Sequence, residues 1–596
     1  MSSTPITFLQ TPPDITGYID TTKELLPIRE FTYIFKSVPE NPVVNTNYRL
    51  AYGTTFFYVF VQVDSPTYVC RDRGYQNGDG FVLILTVPQF DMQPTQEFYM
   101  IGVFPTETEV KSVIWCYNED FIFTWLEEEV KTAVAVHNGK TGFELLLPWN
   151  VVYPYHPWVS DIGFDLFFVK AIGKTEENTH TVHADNIEGF NFPLEYTLLQ
   201  FEAPEITTGS QTYLVMDRNC NVNQTITAKA ATVTSEPVTE RICITMPEKE
   251  FTFEYLCKKG VTTKEITLTP EVSCGHYTLS WKSATNSSQG EGEIKLTVLP
   301  DFDVTSFNKK LESVKSNISK GSYTTLQFEL QELHNRKTQL YPYDTCPELL
   351  KDINTFLNIL KKAQEKEDVI AAKTGLVRRA FLSTLDNTLQ PYTVRIPENI
   401  DYTRKYPVIV FLHGSDVDDR TLAKVPFLSE GDFIEVAPFG RGKTHAYTTD
   451  NAQQDIQEAI KDVIKNYPVN SNTIVLSGFS MGGYGVYRTF YETPQKYTAL
   501  AVFCGFPNVV EFYFPDEEHP NFLKEKYLTP FKGVPIFIYH GTGDRNAPYE
   551  YTQEAVKKLE ALKADVTFCT EQGKGHEPPG EGTIKKYHKW LKKVSR

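Results

Sequence analysis

The sequence predicts a multidomain chain: an N-terminal β-sandwich, an immunoglobulin-like β-sandwich, a short helical connector and a C-terminal α/β domain. Three observations predict it. A chain of 596 residues is too long for one hydrophobic core and calls for three or four domains. Its front half carries short β-branched and aromatic runs parted by turn residues, whereas its last third alternates unbroken apolar runs with amphipathic stretches. A serine between glycines stands where one such apolar run meets a helical stretch.

Residues 1–202 read as all-β. The runs Thr55–Val63, Phe81–Val87, Thr141–Trp149 and Phe164–Val169 are rich in β-branched and aromatic residues and are separated by turn residues. Residues 203–300 show shorter alternating runs, among them Thr225–Ala228, Arg241–Thr245, Phe251–Tyr255, Glu265–Leu268, His276–Trp281 and Ile294–Val298. About seven short strands in such a span predict an immunoglobulin-like sandwich serving as a spacer. Residues 301–372 turn helical. Val304, Phe307, Leu311, Val314 and Ile318 form one stripe, and Leu349, Ile353, Phe356, Leu357 and Leu360 another. These stripes predict a connector that packs on the following domain and carries no chemistry.

Residues 373–596 alternate strands and helices. Val408–Leu412, Thr473–Leu476, Ala499–Phe503, Val534–His540 and Val566–Cys569 read as buried strands. Ile456, Ala459, Ile460, Val463, Ile464 and Tyr467 recur at helical steps, as do Tyr551, Ala555, Val556, Leu559 and Leu562, and Ile584, Tyr587, Trp590 and Leu591. The span from Gly505 to Gly533 is long for a connection and is expected to form a small cap.

Gly478-Phe479-Ser480-Met481-Gly482-Gly483 follows the strand Thr473–Leu476. Strand, serine between small residues, then helix is the nucleophile elbow of an α/β-hydrolase, whose turn is too tight for side chains at the flanking positions. With 34 glycines in the chain, this glycine–serine–glycine spacing should arise by chance only ~0.1 times. The partners follow in the order acid, then histidine. Asp544 lies just past the strand Val534–His540, where open α/β sheets keep their sites, and His576 lies in the loop after Val566–Cys569. A serine hydroxyl is a poor nucleophile until a base takes its proton. His576 is the expected base and Asp544 the residue that orients it. His540, the competing histidine, is expected to make a structural hydrogen bond to the loop. The expected oxyanion donors are the N–H groups of Met481 and of Ser415, in the turn His413-Gly414-Ser415 after Val408–Leu412. His413 is expected to pack or hydrogen-bond within that turn.

From about Gly375 onward the chain resembles the feruloyl and acetylxylan esterases of carbohydrate esterase family one and the related bacterial "predicted peptidase" esterases. The matching pieces are Lys405–Gly414, Ala437–Gly442, Asp455 opening a helix, Asn466–Val469, Leu476–Gly485 and His540–Asp544. Relatives of this kind often carry a second glycine after His-Gly, where this chain has Ser415. In the front region, Asp14–Asp20, Tyr48–Tyr52, Asn77–Phe81, Leu147–Trp149 and Ile162–Asp165 resemble family nine carbohydrate-binding modules. That resemblance implies sugar binding by flat aromatic faces. Trp115, Tyr117, Trp125 and Trp158 are the candidate platforms, with core packing as the competing reading for each; Trp149 reads as core.

Composition sets bounds. The formal net charge of −17 argues against a nucleic-acid backbone as partner. No apolar run is long enough to span a membrane. The nine cysteines form no disulfide framework and no C-x-x-C pattern; Cys257 and Cys274 could pair, but free thiols are expected. No metal or other cofactor is needed for the expected chemistry. Met1–Pro5 lacks a leader's basic start and apolar core, so the chain as written is expected in the cytoplasm, or outside the cell if a leader was removed. The leading expectation is a serine esterase acting on acylated carbohydrate, feruloylated or acetylated. The alternatives are a serine peptidase of the prolyl-oligopeptidase type, against which no propeller repeats stand in front, and a non-catalytic carbohydrate-binding or scaffold protein.

Overall fold

The structure is a computed structural model. It describes residues 5–36, 39–70, 78–86, 99–106, 108–116, 122–125, 130–172, 179–185, 197–247, 249–283, 288–300, 302–338, 345–415, 417–514, 518–544 and 546–595. The chain divides into two compact units: Met1–Phe302 with Asn335–Asn354, and Asp303–His334 with Thr355–Arg596.

The first unit is built on β-sheets. One sheet joins Thr46–Tyr52, Phe56–Val63, Lys140–Pro148 and Lys131–His137, all antiparallel. A second joins Tyr33–Lys36, Thr179–Ala184, Gly163–Ile172, Gly80–Thr86, Tyr99–Pro105, Val110–Cys116 and Ile122–Trp125 in that order. One core draws Leu50, Phe57, Val59 and Phe143 from the first sheet and Phe81, Leu83, Ile101 and Phe168 from the second. Trp149 is buried in that core and donates its indole N–H to the Gly53 carbonyl at 3.0 Å. Beyond Gly209 two more sheets of four and five strands share a separate core that contains Leu214, Ile242, Leu279 and Trp281. The strand Ser210–Met216 is not among the runs read from the sequence, and its first three residues, Ser210, Gln211 and Thr212, are polar. The cysteines with described side chains are free, Cys257 and Cys274 included.

The second unit contains an eight-stranded sheet. Its strands are β1 (Gly375–Leu382), β2 (Leu389–Ile396), β3 (Tyr406–Leu412), β4 (Ile434–Pro438), β5 (Val469–Phe479), β6 (Ala499–Phe503), β7 (Pro535–Gly541) and β8 (Asp565–Glu571). They lie in the order β1-β2-β4-β3-β5-β6-β7-β8. The β1–β2 and β2–β4 pairings are antiparallel, and every pairing after them in that order is parallel. Side chains along β3 alternate between two cores. Val408, Val410 and Leu412 pack with helices α1 (Asp450–Asn466) and α2 (Met481–Glu492), while Ile409 and Phe411 pack with Tyr587, Trp590 and Leu591 of helix α4 (Glu581–Val594). Helix α3 (Tyr549–Ala561) adds Val556 and Leu559 to the first core. Burial on both faces is why these strands read as unbroken apolar runs.

The connector helices span Val304–Val314, Lys320–Thr338 and Thr345–Gln364. Phe307 stacks near Phe356 at a centroid distance of 6.1 Å, so the two predicted stripes meet. Thr325 accepts the Ala380 N–H of β1 at 3.2 Å, and Arg378 of β1 bonds Glu332. Among the described residues no helix is long and apolar enough to cross a membrane.

Candidate active site

Three loops at the C-terminal ends of parallel strands bring the site together. Ser480 follows β5, Asp544 follows β7 and His576 follows β8. Ser480 sits at φ +58° and ψ −119°, a conformation L side chains rarely adopt and one that costs on the order of 1–3 kcal/mol. Its N–H donates to the Phe503 carbonyl of β6 at 3.0 Å. The glycine after it is required by backbone approach: a Cβ at Gly482 would lie 1.9 Å from the Leu412 carbonyl oxygen.

The side chains form one chain of contacts. The Ser480 Oγ lies 2.8 Å from His576 Nε2, and His576 Nδ1 lies 2.7 Å from Asp544 Oδ2. Asp544 is buried, whereas Ser480 and His576 are half-buried. The Phe479 ring stands 5.0 Å from the His576 ring. Asp544 Oδ1 accepts the N–H groups of Asn546 at 3.0 Å and Ala547 at 2.9 Å. Burial works to raise its pKa, but hydrogen bonds from His540 and His576, the His576 charge and the Ala547 N–H outweigh it and hold the carboxyl well below its ordinary value.

The acid and histidine loops are stitched together. The Gly543 N–H donates to the Lys574 carbonyl at 2.8 Å, and the Thr542 N–H to Glu571 at 3.0 Å. A Cβ at Gly541 would lie 2.3 Å from the Lys574 carbonyl oxygen, which accounts for the glycine after His540. His540 makes the expected loop bond, to the Ala547 carbonyl at 2.7 Å, and also reaches Asp544 Oδ2 at 3.1 Å. That second contact was not legible in the sequence.

The turn after β3 lies against the serine. An added Cβ at Gly414 would touch both the Phe479 carbonyl and the Ser480 Cβ at 3.6 Å. Ser415 is half-buried in this turn, and Met481 opens α2 directly after Ser480. The His413 ring nitrogens lie 2.8 Å from the Gly414 carbonyl and 2.9 Å from the Phe439 carbonyl, so this residue ties the turn to the loop after β4. In that loop the Gly440 N–H donates to buried Asp455 at 2.8 Å, with Arg441 at 3.3 Å; burial pushes the Asp455 carboxyl up to about 7.

The span after Gly505 packs its described residues on α2 and α3. Phe522 stands 5.5 Å from both Tyr484 and Tyr487, and Phe506 stacks on Tyr551 at 5.6 Å. Phe512 and Tyr513 remain exposed.

Cys504, His540 and Asp544 bring ligand-type atoms within 4.8 Å of one another, a grouping in space that sequence spacing did not reveal. Burial and the neighbouring Asp544 charge push the Cys504 thiol up, away from the thiolate a metal ion requires. Of the candidate aromatic platforms, Tyr117 lies outside the described residues, as do the side chains of Trp115 and Trp125. Trp158 is half-buried against the front core, edge-on to His156 at 4.9 Å.

Residues 397–595 match the Phospholipase/Carboxylesterase family. A bifunctional acetylxylan esterase/xylanase of Neocallimastix patriciarum is 32% identical over 164 residues, which are 25% of this chain and 21% of that protein. The chain thus spans about a fifth of the length of this curated relative. A ferulic acid esterase structure is 17% identical, with a TM-score of 0.30 over 38% of this chain and 99% of that one. The CE1 ferulic acid esterase of Anaeromyces mucronatus is 16% identical, with a TM-score of 0.29 over 37% of this chain and 90% of its own. The family match and the sheet order define the class of the C-terminal region: a carboxylic-ester hydrolase domain with the α/β-hydrolase fold.

Proposed function

We propose that the protein is a serine esterase that cleaves ester-linked acyl groups, feruloyl or acetyl, from carbohydrate, with Ser480, His576 and Asp544 as its catalytic triad. The unbroken contact from the Ser480 hydroxyl through His576 to Asp544 carries this reading. As His576 Nε2 takes the hydroxyl proton, Ser480 Oγ attacks the ester carbonyl. The N–H groups of Met481 and Ser415 receive the charge on the tetrahedral oxygen. His576 then gives its proton to the departing sugar hydroxyl, leaving an acyl-serine. Water, deprotonated by the same imidazole, attacks that acyl group, and the proton returns to Ser480 as the carboxylic acid leaves. Asp544 holds the imidazole in orientation and stabilises its charged form. No cofactor enters these steps.

The acylated-carbohydrate substrate is supported by the acetylxylan esterase relative and by the motifs quoted above. For the front of the chain, the reading is a carbohydrate-binding β-sandwich over 1–202, an immunoglobulin-like sandwich over 203–300 and a helical connector over 301–372. The hydrolase domain occupies 373–596. Trp158, with Trp115, Tyr117 and Trp125, remains the candidate sugar platform.

Ser480→Ala is expected to abolish both hydrolysis of p-nitrophenyl and feruloyl esters and labelling by a fluorophosphonate probe, in a protein that melts as the wild type does. A folded Ser480→Ala that still hydrolyses these esters would refute the assignment. A peptide amide assayed in parallel separates esterase from peptidase.

A further inference from the structure

We propose that His540 positions Asp544 for catalysis, its Nε2–H sharing the Oδ2 oxygen that also receives His576, and so sets how firmly the carboxylate holds the imidazolium. This rests on reading Ser480, His576 and Asp544 as the triad. His540 is fully buried near the end of β7, after Phe537, Ile538 and Tyr539. Its Nε2 faces two oxygens, the Ala547 carbonyl at 2.7 Å and Asp544 Oδ2 at 3.1 Å. Both faced atoms are acceptors, which fixes the tautomer: the proton sits on Nε2 and donates to the Ala547 carbonyl, with Asp544 Oδ2 beside it at 3.1 Å. Nδ1 is buried with no hydrogen-bond partner among the described residues.

The bland alternative is that His540 only ties down the loop through Ala547. The loop is already held there, since the Asn546 and Ala547 N–H groups both donate to Asp544 Oδ1. The added bond falls instead on the oxygen that works on His576. Hydrogen bonds to a charged acceptor are about twice as strong as neutral ones, so a second donor on Oδ2 weakens its hold on the His576 proton. Among the described residues, the titratable groups facing this carboxylate are His540 from β7, His576 from its loop and the Cys504 thiol after β6. Cys504 donates to the Glu577 carbonyl at 3.6 Å, and the Tyr549 ring closes on His540 at 6.0 Å.

Removing the His540 donor leaves the Asp544 charge less compensated. The His576 imidazolium is then better stabilised, and the neutral base forms only at higher pH. The test is the pH profile of p-nitrophenyl acetate hydrolysis by the full chain. His540→Phe should move the acid limb of kcat/KM upward by roughly half a unit or more, with KM little changed. His540→Gln, which keeps an N–H at similar reach, should restore the limb toward wild type. A folded His540→Phe with an unmoved acid limb overturns the proposal even if its melting temperature falls, and so does an equal displacement in Phe and Gln. Ser480→Ala is run alongside: if it stays active, the triad reading itself has failed, a result distinct from an unmoved limb in His540→Phe. Should His540→Phe not fold, the wild-type chain with 15N-labelled histidine answers instead. The His540 proton should reside on Nε2 and its resonance should follow the titration of His576; a proton on Nδ1, or a resonance indifferent to that titration, overturns the idea.

Discussion

Each unit buries a carboxylate among donors, and the two are held to different ends. In the front unit Glu144 accepts from Lys23 at 2.6 Å, from the Tyr58 hydroxyl at 2.6 Å and from the Thr16 and Gly17 N–H groups. Lys23 in turn bonds Thr16 Oγ1 and the Tyr18 carbonyl, both at 3.0 Å, and the side chains of Lys23 and Glu144 are 0% exposed. Charge is cancelled on the spot, and Lys23 also reaches the partly exposed Asp20 carboxylate at 3.4 Å. Asp544 is equally well supplied with donors, but one of them, His576, passes its other nitrogen to a half-buried hydroxyl. A saturated buried pair fixes a fold; a buried carboxylate wired outward can drive a proton.

The largest test of this contrast is Asp544→Asn. The amide cannot hold the imidazolium, so kcat for a small ester should fall on the order of 10⁴-fold, while the fold persists. Steady-state kinetics with a melting curve read both sides. Lys23→Met should do the reverse. It leaves Glu144 buried without its counter-charge, so the front unit should lose about 3–5 kcal/mol of stability in denaturant or calorimetric melts, with p-nitrophenyl ester turnover unchanged. A slowed esterase in folded Lys23→Met would break the division between the two networks.

The smallest effect concerns a third buried carboxylate, Asp455, whose carboxyl is pushed up to about 7 chiefly by burial. Its folded pKa lies above the unfolded one, so its contribution is full below about pH 4 and is lost as pH rises through about 7. Measured against Asp455→Asn, the wild type should therefore lose on the order of 2 kcal/mol between pH 5 and 8. Parallel melting curves across that range check it, and an unchanged difference would mean that Arg441 fully compensates the charge.

Much of the second unit could be read from the chain because its constraints are local. Strands β3, β5, β6 and β7 are apolar on both faces, so unbroken runs announce them. The elbow is legible because only glycine tolerates the approach of the Leu412 carbonyl at position 482. Asp544 and His576 could be picked out because strand ends and chain order limited the choice. What stayed hidden depends on distance in the chain. Nothing near Lys23 announces Glu144, and nothing near His540 indicates that its Nε2 faces Asp544 as well as the Ala547 carbonyl. The stripes at Phe307 and Phe356 gave two helices, yet the bond from Ala380 to Thr325 needed three dimensions. The strand Ser210–Met216 escaped because it opens on three polar residues.

The elbow is secured mainly by main-chain contacts, while the span after Gly505 rests on α2 and α3 through interchangeable aromatic rings and leaves Phe512 and Tyr513 in solvent. Such a division of labour favours diversification within a lineage. On the proposed triad reading, substitutions among those rings change the surface beside α2 and α3 while the main-chain contacts around Ser480 stay in place.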